Sequence, residues 1–161
     1  MTQPAHTNDR HTSRQALRLL GLRRHVPYGD HTPPAQQIEH IAYFVVHLVP
    51  ATSAVSFNDL TARTLRTSAE RLVQLTPMAQ MDHLEQEYSA QLTAQQDLPW
   101  NQVTQNLKRA MNFTARAYGF VAHAPDDETR QTASAEAATY TAHALACLHE
   151  LLRRTGVPID W

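Results

Sequence analysis

Glycine, cysteine and lysine are nearly missing from this sequence of 161 residues, which holds four glycines, one cysteine (Cys147) and one lysine (Lys108). A lone cysteine excludes an intramolecular disulfide and any paired-cysteine redox or zinc motif. So few glycines leave no glycine-rich loop to cradle a phosphate, and no Gly-x-Ser-x-Gly elbow presents a serine nucleophile. No stretch of about 18 uninterrupted apolar residues occurs, so no membrane span is expected. The opening segment MTQPAHTNDRHTSR lacks the apolar core of a signal peptide. Together these absences make a soluble, cytoplasmic protein the expectation.

Hydrophobic residues at 42% and charged residues at 18% suit a chain that folds around its own core rather than a disordered one. Ala, Leu, Gln, Arg and Glu fill long stretches between prolines, and β-branched runs bounded by turn residues are scarce, so the expected class is all-α. Residues 1–12 are polar and unpatterned and read as a flexible lead-in. Residues 13–161 read as one helical-bundle domain. A short basic helix at 13–25 precedes a hinge at 26–34, VPYGDHTPP, whose three prolines and one glycine cannot continue a helix. The bundle follows at 35–155, and a tail at 156–161 closes the chain.

Within the bundle, residues 35–49 carry Ile38, Ile41, Ala42, Phe44, Val45, Val46 and Leu48 on most of their circumference, the pattern of a central helix buried on several sides. Ser56 and Asp59 have the spacing of a capping box for a helix ending near Leu75. Thr76 and Pro77 read as N-cap and first-turn proline of the next, with Met78, Met81, Leu84, Tyr88 and Leu92 inward. Pro99 opens a fifth stretch with Trp100, Val103, Leu107, Ala110, Thr114, Ala117, Tyr118 and Val121 on one stripe. The acidic start of Asp126, Asp127 and Glu128 favours a last helix, which Gly156 and Pro158 stop. Connections this short predict an up-and-down bundle of four to five helices preceded by the basic one.

Ten histidines raise the question of metal. His40 and His47 share a face, His83 and Glu87 are four apart, and His143 and His149 are six apart, about 240° around a helix. Neither a Glu-x-x-His pair nor a His-Glu-x-x-His motif is present, so neither a metal nor any other cofactor is expected. Arg116 and His123 stand at the spacing Arg-x6-His, which resembles the catalytic motif of the helical HEPN ribonucleases. The position after the arginine, usually polar there, is Ala117 here. Cys147, amid Ala144, Leu148 and Leu151, reads as a core residue.

Charge is unevenly spread. Residues 1–25 carry five arginines against Asp9, a net of +4, and the remainder carries nine basic against fourteen acidic groups, a net of −5. Guanidiniums pair bidentately with phosphate or carboxylate. Arg10, Arg14, Arg18, Arg23 and Arg24, with the terminal Trp161, are the expected contact residues for a protein partner, a second copy of the chain or a nucleic acid, the alternative being that the basic helix packs on its own acidic bundle. The reading that follows is a non-catalytic helical binding or assembly subunit; the alternative is a metal- or small-ligand-binding bundle using inward histidines.

Overall fold

The computed structural model describes residues 33–48 and 59–156. The basic helix at 13–25, the hinge before Pro33, Ser56 of the capping pair and residues 157–161 lie outside the described residues. So do the side chains at 43–48, 59–61 and 64, among them Phe44, Val45 and His47. Five helices and one tight turn follow in order: α1 (Pro34–Leu48), α2 (Asp59–Leu75), a 3₁₀ turn (Met78–Gln80), α3 (Met81–Gln95), α4 (Trp100–Ala122) and α5 (Asp127–Arg154). Among the described residues there is no strand, so the fold is the all-α bundle that the periodicity predicts.

The helix boundaries follow from local chemistry. Pro34 stands at the first position of α1, where its missing N–H would have had no intrahelical acceptor. The carbonyl of Pro99 accepts the amides of Gln102 and Val103 at 3.0 and 3.1 Å and so starts α4. Asp126 caps α5, its Oδ1 accepting the amide of Thr129 at 2.7 Å. Gly156 ends α5 at φ 77°, a left-handed conformation that glycine adopts without a Cβ clash.

One boundary differs from expectation. Pro77 opens the 3₁₀ turn rather than α3, which begins at Met81. Thr76 does not cap it, because its hydroxyl donates back to the carbonyl of Leu72 at 3.0 Å. Met78 consequently stays on the surface, 47% exposed, while Met81, Leu84, Tyr88 and Leu92 are buried as the spacing predicts.

The helix that others pack around is α5, not α1. α2, α3 and α4 all contact α5, whereas α1 rests mainly on α4 and α2. The reason is size rather than hydropathy. α5 buries Ala133, Ala137, Ala138, Ala142, Ala144 and Ala146, and methyl-sized side chains on several faces let neighbouring backbones come close. Direction follows from cross-helix contacts: His83 meets Thr139 and Tyr88 meets His149, so α3 and α5 run parallel. Phe113 meets Tyr140, and Phe120 and His123 lie by Thr129 and Thr132, so α4 is antiparallel to α5. No helix among the described residues is long and apolar enough to cross a membrane.

Gly119 lies inside α4 with open space where a Cβ would project. Gly119→Ala is expected to stabilise the fold by about 0.5–1 kcal/mol, because alanine loses less backbone entropy in a helix. Urea melts of both forms check this; an unchanged or lower midpoint contradicts it.

Candidate functional site

Because α3 and α4 both lie against α5, a cleft of about 270 Å³ opens between them. Gln91 and Gln95 form the α3 wall, and Asn106, Arg109 and Phe113 the α4 wall. Tyr140, His143 and Cys147, successive turns of one α5 stripe, line its floor.

A relay of amides spans the walls. Gln102 Nε2 donates to Asn106 Oδ1 at 2.9 Å, and Asn106 Nδ2 donates to Gln95 Oε1 at 3.1 Å. The relay uses the oxygen of Gln95 and leaves its NH₂ group without a bond to any described residue; the residue as a whole is 5% exposed. Arg109 is exposed and likewise makes no ion pair with a described residue. Phe113 and Tyr140 stack with centroids 5.1 Å apart and ring planes 23° from parallel, and His143 meets the Tyr140 ring edge-on.

Burial holds the His143 imidazole below its ordinary pKa, and Glu87, whose Oε2 is 3.9 Å from Nε2, draws it part of the way back. Burial pushes the Cys147 thiol up to about 12, so the sulfur facing the cleft is a protonated thiol at neutral pH. The end of α3 is tied down separately. Arg154 donates to the carbonyls of Gln95 and Gln96 at 3.1 and 3.3 Å, and its Nε holds the buried Glu150 at 2.8 Å. Burial alone would raise the Glu150 pKa, but hydrogen bonds from Arg153 and Arg154 outweigh it and keep the carboxylate charged.

A second feature runs away from the cleft along α4. Arg109, Phe113, Arg116, Phe120 and His123 repeat at intervals of four, three, four and three, so they form one stripe, and all five are exposed. Phe113 is 37% and Phe120 61% exposed. The Arg116 guanidinium lies 5.8 Å from the Phe113 centroid, within cation–π reach. α4 contains no acidic residue, whereas α3 carries Asp82, Glu85 and Glu87 and no basic one. Glu136 of α5 is the acidic neighbour of the stripe, lining a groove of about 290 Å³ with Phe120, His123 and Thr132.

The residues singled out from sequence fare differently. Arg10, Arg14, Arg18, Arg23, Arg24 and Trp161 lie outside the described residues. The inward histidines bond across the α3–α5 seam instead of converging. Thr139 Oγ1 donates to the carbonyl of Ala135, so it accepts from His83 Nε2 at 2.7 Å; His149 Nδ1 bonds the Tyr88 hydroxyl at 2.5 Å. His40 is exposed on α1. Among the described residues no three His, Cys, Asp or Glu side chains are grouped to hold a metal ion. Arg116 and His123 stand two turns apart on the same stripe, Arg116 over Phe113 and His123 at the helix terminus, where its amide bonds the carbonyls of Gly119 and Phe120. The cleft residues Gln91, Gln95, Asn106 and Arg109 and the rings Phe113 and Phe120 escaped the sequence reading. The 4-3-4-3 repeat on α4 was the signal available for the stripe.

No family model, curated protein or solved structure matches the chain, so no relative lends it a function.

Two outcomes test this geometry. Glu87→Gln removes the charge that raises the His143 pKa, so the imidazole should titrate at still lower pH, followed by NMR of the ring protons. An unchanged or higher midpoint would disprove the pairing. Cys147, buried and with a thiol pKa of about 12, should resist iodoacetamide at pH 8 in the folded protein and react promptly once unfolded; alkylation followed by mass spectrometry reads this.

Proposed function

We propose that the protein is a non-catalytic helical binding module that engages single-stranded nucleic acid along the exposed stripe of α4. The observation that carries this reading is the alternation Arg109, Phe113, Arg116, Phe120, His123 on one face of a helix without acidic residues, in a chain of net charge −1. Guanidiniums neutralise phosphates, and exposed rings stack on bases of any identity. The stripe extends about 21 Å, at 1.5 Å per residue, which suits a few nucleotides. An acidic protein surface would use the arginines but has no comparable use for rings spaced between them.

The arginines of segment 10–24 fit the same reading as a second electrostatic contact, since each neutralised phosphate adds affinity through counterion release. A non-catalytic role is supported by the protonated Cys147 thiol and by the cross-helix bonds of His83 and His149.

Fluorescence anisotropy with labelled single-stranded oligonucleotides at two salt concentrations provides the test. Phe120→Ala should weaken binding roughly 5- to 100-fold, the equivalent of about 1–3 kcal/mol for one lost stack. Arg116→Gln should weaken it and lower the salt slope by about one. Changing Arg14, Arg18, Arg23 and Arg24 together to Gln should reduce affinity at low salt while leaving the Phe120 effect in place. No binding at low salt, or binding indifferent to Phe120 and Arg116, would overturn the proposal. Preferential capture of an acidic polypeptide such as polyglutamate over oligonucleotide would do so as well.

A further inference from the structure

We infer that the cleft between α3 and α4 is a pocket for one nucleotide, its base held by the Gln95 amide and its phosphate by Arg109. The ligand class rests on the reading of the α4 stripe, which leads into the cleft through Arg109 and Phe113; the pocket itself rests on its own geometry.

Gln95 carries the inference. Its oxygen is committed to Asn106 by the amide relay, which leaves the NH₂ end of a cleft-lining side chain outside the relay. The NH₂ group is thus a donor that no described residue occupies, on a residue that is only 5% exposed and lines the cleft. A base carbonyl is an acceptor suited to it. Gln91, one turn earlier on the same wall and with no side-chain bond to a described residue, offers both a donor and an acceptor to the rest of the base edge. Phe113 and Tyr140 form the flat side, and Arg109 stands at the α4 wall as a guanidinium without a described partner, suited to a phosphate. The volume of about 270 Å³ lies at the small end of ligand sites, enough for a single-ring base and its sugar rather than a large cofactor. The carboxylate nearby, Glu87, is engaged with His143 across the α3–α5 seam. Because the cleft is small, it prefers a single-ring base such as uracil, whose carbonyls accept from Gln95, over the larger double ring of adenine.

The same chemistry arises from a free nucleotide or from a nucleotide within a strand, and the experiment separates them. Uridine 5′-monophosphate, adenosine 5′-monophosphate and ribose 5-phosphate are titrated into the full chain by calorimetry, with ¹H–¹⁵N spectra recorded alongside. Uridine monophosphate should bind at least tenfold more tightly than either control and shift the side-chain amide signals of Gln91 and Gln95. Gln95→Glu keeps the acceptor for Asn106 but removes the donor, and should weaken it at least tenfold. Arg109→Gln, on an exposed residue, should do likewise and carries the test if Gln95→Glu melts early. Phe120→Ala, at the far end of the stripe, should leave the mononucleotide unaffected.

Mononucleotide binding without oligonucleotide binding would support the pocket as a free-nucleotide site and sink only the stripe. Tighter binding of oligo-U than oligo-A, lost in Gln95→Glu, would identify the pocket as the base-reading site of a bound strand. Equal affinity for the uridine and adenosine compounds, or affinity unaffected by both Gln95→Glu and Arg109→Gln, would overturn the inference even if oligonucleotides bind through Phe120 and Arg116.

Discussion

Close packing against α5 is the constraint from which the other features follow. Alanines on several faces of one long helix let α3 lie on one side and α4 on another, and the gap left between those two helices is the cleft. A larger residue at Ala142 or Ala144, both fully buried, would push a neighbour outward and change the width of that gap. The cleft is therefore a by-product of helix spacing, furnished afterwards with amides and rings.

Polar bonds then fix the register that packing alone leaves loose. The α3–α5 seam is stitched by His83 to Thr139, Glu87 to His143 and Tyr88 to His149, and Arg154 clamps its end. Each stitch gives a polar side chain of the seam a partner on the facing helix, so these histidines are used without any ligand set among the described residues. Tyr118 does similar work on the other side. Its hydroxyl donates to the carbonyl of Leu75 at 3.1 Å, satisfying an orphan acceptor at the end of α2. Burial lifts that phenol to about 12, so the donor is retained across the physiological range.

Much of the fold was legible because prolines, glycines and one aspartate punctuate it. Pro99, Asp126 and Gly156 mark ends that the structure keeps, and the buried stripe of α4 follows its 3.6-residue period. What was not legible has physical causes. The 3₁₀ turn after Pro77 uses the same residues as a helical first turn, so sequence offers nothing to separate them. The hub was misplaced because hydropathy favours Ile, Val and Phe, whereas centrality here depends on how little volume a side chain adds. Gln95 carries no signal in the sequence, and only the tertiary approach of Asn106 engages its oxygen. The stripe was in reach, since its spacing is as regular as that of the core, but outward positions are ordinarily passed over once the inward ones are assigned.

The parallel arrangement of α3 and α5 has an electrical consequence. Two helix dipoles pointing the same way repel side by side, and here their partially negative ends come together, since the last turn of α5 meets the end of α3. The side chains are sorted accordingly: Asp82 stands in the first turn of α3, Asp127 and Glu128 in the first turn of α5, and Arg153 and Arg154 in the last turn of α5, with Arg154 reaching the carbonyls at the end of α3. The acidic run after Pro125 and the paired arginines near the end of α5 thus belong to one compensation. They record which way the helices point, and neither needs a partner to account for it.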